Sequence, residues 1–385
     1  MPVQALSEKT AIAGLGWTEF TRGSGTTPAV LVARASLMAI EDAGLKVDDI
    51  DGVVGFFWRE NPTVAPRVLA RMLGIPVLNF DSYHDGGGWW NAATVLTAAA
   101  LIHSGLCKNV LVYTGTNAYS DRGGGSGGGA RGPSQFTSPF GQNHAAVTFG
   151  EVAVANMEKY GTTTLDFAHL AVTQRRNAIV NKKAQMRKPI TIEDHQNSRW
   201  IIYPYRLLDC CQESDGAVAL VVSSADQARD LRHNPVYIMG GACGQNEESA
   251  TAATGKRVFE AAGVSPQDVD IAESYDDFTF MCLKHMVDFG FVPMGEAGAW
   301  IREGHGALDG DLPINTHGGL LSEAHLLGLN HVVEAVQQLR VGGVVDDLCE
   351  GPHTYDRATC RQVRDPEIAF VCGIHGGSAV LLKKG

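Results

Sequence analysis

Residues 272–281 read AESYDDFTFM, a tyrosine and two acids directly after an apolar, strand-like run. The preceding VFEAAGVSPQDVDI reads as a helix end, a glycine turn and a short strand. Tyr275, Asp276 and Asp277 therefore fall at the carboxyl end of that strand, where α/β proteins commonly place their chemistry. A phenol donates a proton readily and acts as a base only with help from its surroundings. Histidine titrates near neutrality and can take either role, which adds His325, and also His317 and His375, each set before Gly-Gly in NTHGG and GIHGG. Close backbone approach at such glycines forms turns that aim N–H groups inward; the same two histidines also read as turn residues bonded to backbone. Asp276 reads as a carboxylate orienting Tyr275 or His325, or as the cap of a following helix.

Further candidates are spread along the chain. In SYHDGGGWW, Tyr83, His84, Asp85 and Trp89 read as pocket lining or as loop formers before three glycines. Trp89, Trp90, Trp200, Tyr203 and Tyr205 fit either a wide apolar pocket or core packing. Arg175, Arg176, Lys182, Lys183, Arg187 and Lys188 cluster in a chain that is acidic overall, as a solvated helix face or as a site for the phosphates of a nucleotide-bearing substrate.

The elements that must position these groups are visible as an internal repeat. LMAIEDAGLKVDDIDGVVGF (37–56) and KRVFEAAGVSPQDVDIAESY (256–275) align without a gap, sharing a glutamate, an Ala-Gly turn and a D-x-D leading into a strand. GGWWNAATVLTAAAL (87–101) matches GGLLSEAHLLGLNHVVEAV (318–336), each running from Gly-Gly into a long helix, and NVLVYTG (109–115) matches EIAFVCG (367–373). Three matches in the same order predict two similar αβ halves, 1–228 and 229–385, each a mixed sheet with helices on it. The alanine-rich helices 92–102 and 323–338 suit a buried layer between sheets. Outside the repeat lie a glycine-rich loop, 120–134, and a largely helical insertion from about 141 to 212.

Bulk composition narrows the partners. A chain of 385 residues, 44% hydrophobic, can bury a large core. A net charge of −11 without a long basic run argues against nucleic acid. Eight cysteines without CxxC spacing predict no intrinsic metal and suit small buried thiols in a reducing compartment. AATVLTAAALI is too short for a bilayer, and the N-terminus lacks a basic segment followed by an apolar one, so the expectation is a cytoplasmic protein without a membrane span.

Taken together, the repeated halves, CQESDGAVALVVSS, GVSPQDVDIAESYDDFT, LPINTHGGLLSEAHLLG and FVCGIHGG resemble the thiolase superfamily over essentially the whole chain. The resemblance is to the branch of sterol-carrier-protein thiolases and lipid-transfer proteins, and implies the duplicated αβαβα layered fold. A thiolase carries its nucleophilic cysteine on the loop before the first-half buried helix, here NFDSYHDGGGWWNAA (79–93), which has none. Cys372 resembles the second, proton-shuttling cysteine. Where sterol-carrier thiolases have His-Asp-Cys-Phe, this chain has Tyr275-Asp276-Asp277-Phe278, and the Gly-His-Pro motif has become Glu323-Ala324-His325.

The Tyr-Asp pair is similar to that of bacterial acyl-CoA retro-aldolases that cleave steroid side chains. There a tyrosine in this motif works with a second tyrosine in the next helical motif, where this chain has His325. The resemblance implies cleavage of a bulky β-hydroxyacyl-CoA to a ketone or aldehyde and a short acyl-CoA. Tyr275 is then placed on the hydroxyl and His325 on the enolate side, with the reverse open. CoA is part of the substrate, no intrinsic cofactor is implied, and the basic cluster Arg175, Arg176, Lys182 and Lys183 would meet its phosphates. A homodimer and a small OB-fold partner with a zinc ribbon, together a heterotetramer, are the implied assembly. Two other readings stay open: a non-catalytic acyl-CoA- or lipid-binding subunit, and a thiolase with an unusual nucleophile.

Overall fold

The D-x-D of each repeat turns out to be a joint. Asp49 accepts the Lys46 N–H at 2.8 Å and Asp268 accepts the Ser265 N–H at 2.7 Å, each closing a tight turn before a strand. The second acid of each motif reaches across to the neighbouring strand. Asp51 accepts from the Asn109 N–H at 3.1 Å, and Asp270 accepts from the Ile368 N–H at 2.9 Å. One carboxylate thus sets the entry of a strand and the next sets its register, in both copies.

The computed structural model describes residues 6–58, 63–121, 134–142, 144–244, 250–340, 348–349 and 355–385. The first copy comprises β1 (Thr10–Trp17), α1 (Pro28–Asp42), β2 (Gly52–Phe57), α2 (Pro66–Leu73), β3 (Phe80–Asp85), α3 (Trp90–His103) and β4 (Asn109–Asn117). Then come α4 (Ser134–Thr137), α5 (Ala145–Tyr160), α6 (Thr164–Ile179), α7 (Ile192–Asn197), a hairpin of β5 (Trp200–Ile202) and β6 (Tyr205–Arg206), β7 (Asp215–Ser224) and α8 (Ala225–Ala228). The second copy runs β8 (Val236–Cys243), α9 (Ala250–Ala262), β9 (Ile271–Ser274), α10 (Thr279–Asp288), α11 (Ala297–Arg302), α12 (Gly319–Ser322), α13 (Leu329–Leu339), β10 (Ile368–Cys372) and β11 (Ser378–Lys384). The inserted region is largely helical, interrupted by a loop over 180–191 and by the β5–β6 hairpin. Of the glycine-rich loop, residues 122–133 lie outside the described residues.

Strands follow the order β3-β2-β4-β7-β1-β8-β11-β10-β9, so that, read outward from the centre, β8, β11, β10 and β9 repeat β1, β7, β4 and β2, while β3 has no counterpart strand among the described residues. The two halves are not separate sheets: β1 and β8 join them through the pairs Ala11↔Tyr237 and Ile12↔Val236. Helix α1 covers β1, β4 and β7, and α9 covers β8 and β11. Helix α3 touches strands of both halves and also α13, which lies on β9, β10 and β11. The layers are therefore helix, strand, helix, strand, helix, with α3 and α13 in the middle. The core there includes Val54, Phe56, Val95, Val218, Val332 and Val371. Burying each such side chain contributes roughly 1.5–3 kcal/mol relative to exposure.

Two expectations need correction. The long helix predicted from Gly-Gly at 318 is broken: α12 stops at Ser322 and α13 begins at Leu329. Other segments take the backbone groups that would have continued it, since Met186 N–H donates to the Ser322 carbonyl, Gln185 N–H to that of Glu323, and His325 N–H to that of Gln212. The eight cysteines are not all free either. Cys349 and Cys360 form a disulfide, while Cys107, Cys210, Cys211, Cys243, Cys282 and Cys372 are thiols. Among the described residues, no helix is long and apolar enough to cross a membrane.

Candidate active site

The helix break is what makes the site. Strand β9 ends at Ser274 and delivers Tyr275, while the turn between α12 and α13 lifts His325 to meet it. Tyr275 Oη and His325 Nε2 are 2.7 Å apart. The tyrosine is only 2% exposed and the histidine half-buried, so the imidazole is the accessible member. Burial, followed by the nearby Asp277, Cys211 and Asp276, raises the Tyr275 phenol well above its ordinary range. Burial, reinforced by His331, pushes His325 down to about 4. Both partners are therefore neutral near pH 7, and the bond between them is a phenol–imidazole hydrogen bond rather than an ion pair.

The walls leave Tyr275 no freedom. A Cβ on Gly88, just before α3, would lie 2.2 Å from Tyr275 Cε2, and one on Gly328 would lie 2.7 Å from Cδ2. Asn91 on α3 donates to the carbonyls of Gly328 (3.3 Å) and Cys372 (3.1 Å), tying together the ends of both middle-layer helices and β10. Asp276 anchors the adjoining chain, accepting the N–H of Leu320 at 2.9 Å and of Leu321 at 3.3 Å. It therefore holds Tyr275 and the 317–328 segment in register. Asp277 accepts its own neighbour Phe278 N–H, and burial raises its carboxyl well above the usual range.

Behind the pair lies a buried polar cluster. His317 Nδ1 is 3.0 Å from Glu273 Oε2, and His331 places Nδ1 3.6 Å from the same oxygen and Nε2 3.3 Å from Asp276. Burial opposes charge on His317, but Glu323 and Glu273 outweigh it and hold the imidazole up to about 9. Glu273 also accepts from Thr316 Oγ1, which bridges at 2.8 Å to Glu334, and Arg361 pairs with Glu334 at 3.0 Å. The linear sequence gave no prominence to Glu273, His331, Glu334 or Arg361. Their signal is a charge placed inside an apolar strand or helix, as in IAES and LNHVVEAVQQL.

Similarity to known proteins agrees with this geometry. Residues 244–348 match the family "Thiolase C-terminal domain-like". The chain is 39% identical to a steroid side-chain-cleaving aldolase of Thermomonospora curvata, over 86% of this chain and 90% of that one. It is also 39% identical to a 17-hydroxy-3-oxo-4-pregnene-20-carboxyl-CoA lyase of Mycobacterium tuberculosis, over 87% and 92%. This chain belongs to the aldolase branch of the thiolase superfamily. The solved Ltp2-ChsH2(DUF35) aldolase superposes with a TM-score of 0.88 at 36% identity, covering 99% of each chain. Human mitochondrial 3-ketoacyl-CoA thiolase, at 15% identity and a TM-score of 0.70, shares the fold.

Against that aldolase frame the other candidates separate. His375, in the left-handed region at φ 53°, turns toward Trp89 and Phe149, with ring centroids at 5.6 and 4.7 Å. Burial pushes it down to about 4. Cys372 is buried 3.6 Å from His285 Nδ1, and burial pushes its thiol up to about 12. Tyr83 donates to the Thr63 carbonyl at 2.8 Å, His84 stacks on Trp90 at 4.0 Å, and Asp85 is exposed where β3 ends. Tyr205 is core, stacked on Phe278 at 4.6 Å, whereas Trp200 and Tyr203 are exposed on the hairpin.

The basic cluster divides as well. Arg175 is buried and donates to Ser322 Oγ at 2.9 Å, and Lys183 turns inward to Gln337 at 2.7 Å, so neither is a free surface charge. Arg176 and Lys182 are exposed. Lys182 lines a cleft of about 870 Å³ with Arg22 and Arg34. Gln185 and Met186 also line it, and their N–H groups hold the carbonyls two and three residues before His325.

Proposed function

We propose that this chain is a retro-aldolase acting on a steroid side-chain β-hydroxyacyl-CoA, with Tyr275 and His325 as its proton-transfer pair. The observation that carries this reading is the 2.7 Å bond between a buried phenol and a neutral imidazole at the carboxyl end of β9. The substrate β-hydroxyl gives its proton to Tyr275 Oη as the phenol passes its own to His325 Nε2. The Cα–Cβ electron pair moves onto the thioester as an enolate, and the β-carbon becomes a carbonyl. The proton held on His325 returns through Tyr275 to Cα, giving the shortened acyl-CoA. No electrons are gained or lost, so the step needs no redox or group-carrying cofactor. The phenol acts as a relay, since a phenol held far above its ordinary range keeps its proton at neutral pH and can accept another only by passing its own on.

No nucleophilic cysteine takes part in this reading. The 79–93 loop contains none, and a side chain at residue 88 would claim the space of the Tyr275 ring. Tyr275→Phe tests the proposal, because it keeps the ring and removes the relay. Carbonyl release from a steroid β-hydroxyacyl-CoA should fall about 10²–10⁴-fold with the fold intact. Release at the wild-type rate, with chemistry as the measured step, would refute it.

The cleft beside Gln185 and Met186 is the proposed CoA path, with Lys182, Arg22 and Arg34 facing its phosphates. Strand β3 ends the sheet with no strand beyond it among the described residues, which suits a homodimer paired along that edge. A separate OB-fold subunit with a zinc ribbon completes the proposed heterotetramer; the similar solved aldolase pairs Ltp2 with ChsH2(DUF35). Native mass spectrometry of the complex from its host tests this, and a fully active lone homodimer would count against the second subunit. A cytoplasmic location agrees with six free thiols.

A further inference from the structure

We propose that Glu273, His317 and His331 bind a divalent transition-metal ion, zinc by preference, as a structural brace directly behind the Tyr275–His325 pair. One oxygen and two ring nitrogens carry the argument. Glu273 Oε2 lies 3.0 Å from His317 Nδ1 and 3.6 Å from His331 Nδ1, and donor atoms of the three residues all fall within 4.8 Å of one another. Ligands on a tetrahedral zinc at about 2.0–2.1 Å stand about 3.3 Å apart, so the observed separations straddle the required one. These three atoms are buried and make no hydrogen bond with acceptable angles. They are close enough to attract, yet no hydrogen bond joins them.

The outer groups are those a metal site uses. Histidine ligands typically present the second ring nitrogen to a carboxylate, which fixes the ring and its tautomer. Here His331 Nε2 is 3.3 Å from Asp276 Oδ1, and His317 Nε2 is 3.7 Å from Glu323 Oε2, so each ring's second nitrogen faces a carboxylate without yet closing a hydrogen bond to it. Glu273 Oε1 is held by Thr316 Oγ1 at 2.8 Å and its N–H at 3.1 Å, which leaves Oε2 for the ion. Charge points the same way. Glu273, Asp276, Glu323 and Glu334 are four buried carboxylates, and Arg361 and Lys183 are the two basic side chains paired with members of the group. With both imidazoles neutral, as metal ligands must be, two negative charges remain, which one divalent cation cancels; without the ion, the proton on His317 offsets one of them. Imidazole and carboxylate donors in a dry site suit zinc better than magnesium or calcium, which keep waters and prefer oxygen.

The position gives the ion a purpose. Glu273 stands two residues before Tyr275, and His317 and His331 bracket the turn that carries His325. One ion would clamp the two segments whose spacing sets the 2.7 Å proton-transfer bond. Linear spacing predicted no metal because the ligands lie 44 and 58 residues apart. The alternative is a metal-free cluster in which His317 pairs directly with Glu273.

Anomalous scattering at the zinc edge decides between them, using crystals of the wild-type complex grown with excess Zn²⁺. A peak bonded to Glu273 Oε2 and both Nδ1 atoms is expected, distinct from any partner-bound zinc by its position. Glu323→Gln, which leaves the three ligands in place, should weaken zinc binding about 10–100-fold. Zn²⁺ should also raise the Tm of metal-stripped wild type but not of His331→Gln. Absence of the peak, with Tm indifferent to Zn²⁺, would overturn the proposal and leave the metal-free cluster.

Discussion

Gly88→Ala tests whether the exact placement of Tyr275 matters. The added methyl would lie 2.2 Å from Cε2, 2.4 Å from Cζ and 2.6 Å from Oη of Tyr275, well inside any tolerated contact. The ring has little room to slide along that edge, because Gly328 approaches it too, a Cβ there lying 2.7 Å from Cδ2 and 2.9 Å from Cε2. To reach an ordinary contact of about 3.4 Å the phenol must retreat by roughly 1 Å, and a displacement of that size at a reacting group costs about 10²-fold in rate. Overpacking itself costs about 1–3 kcal/mol of stability, which a domain of this size survives. We therefore expect kcat for carbonyl release to fall by about 10²-fold, with unchanged circular dichroism and a Tm lowered by a few degrees. Combining Gly88→Ala with Tyr275→Phe should cost little beyond Tyr275→Phe alone, since both act through one hydroxyl. An alanine variant that keeps wild-type kcat would show that the placement of Tyr275 is irrelevant to the chemistry.

His325→Gln should lose about as much rate as Tyr275→Phe, whereas His325→Tyr should retain a measurable part, because a phenol can still hydrogen-bond Tyr275; equal loss in both, measured as single-turnover rates, would deny that position a proton-transfer role. His285, His325 and His375 are all held below the ordinary imidazole range by burial, so the unfolded chain takes up protons that the native one refuses. Their contribution is complete above about pH 6.5 and is lost as pH falls toward about 4, at up to about 1.4 kcal/mol per pH unit for each proton; urea midpoints that hold steady across this window would contradict it. Lys182→Glu should raise KM for the CoA ester and leave kcat alone, and an unchanged KM at low ionic strength would remove Lys182 from the CoA path.

The parts of this protein legible in its sequence are those in which neighbours along the chain decide the outcome. The D-x-D joints, the Ala-Gly turns and the two copies of the αβ unit rest on local capping and periodicity, and the structure repeats them, β8, β11, β10 and β9 answering to β1, β7, β4 and β2. The break between α12 and α13 was not legible. LLSEAHLLGLNHVVEA has continuous helical character, and the groups that end the first turn belong to Gln185, Met186 and Gln212, over a hundred residues upstream. Likewise Arg175 and Lys183 look like surface charge in one dimension, and burial under the 320s segment is a tertiary event. Tyr275 and His325 were identified as candidates from motif position, while the 2.7 Å bond between them depends on that same unforeseen break.

The duplication also shows where the chemistry came from in physical terms. Strand β9 follows β2 at a fixed offset, so Glu273 and Tyr275 occupy the places that Val54 and Phe56 hold in the first copy. Val54 and Phe56 are fully buried in the middle core, and Glu273 and Tyr275 are buried to the same degree. One copy therefore spends these positions on packing and the other on polar groups that water cannot reach. Such a carboxylate is tolerated only if partnered, since leaving a buried charge unpaired costs about 3–5 kcal/mol. This explains why α13, unlike its counterpart α3, buries His331, Glu334, Gln337 and Gln338 among its valines and leucines, and why Arg361 is drawn fully inside to meet Glu334. The polar cluster is thus the condition on which a tyrosine at the end of β9 can be held dry, neutral and fixed against His325.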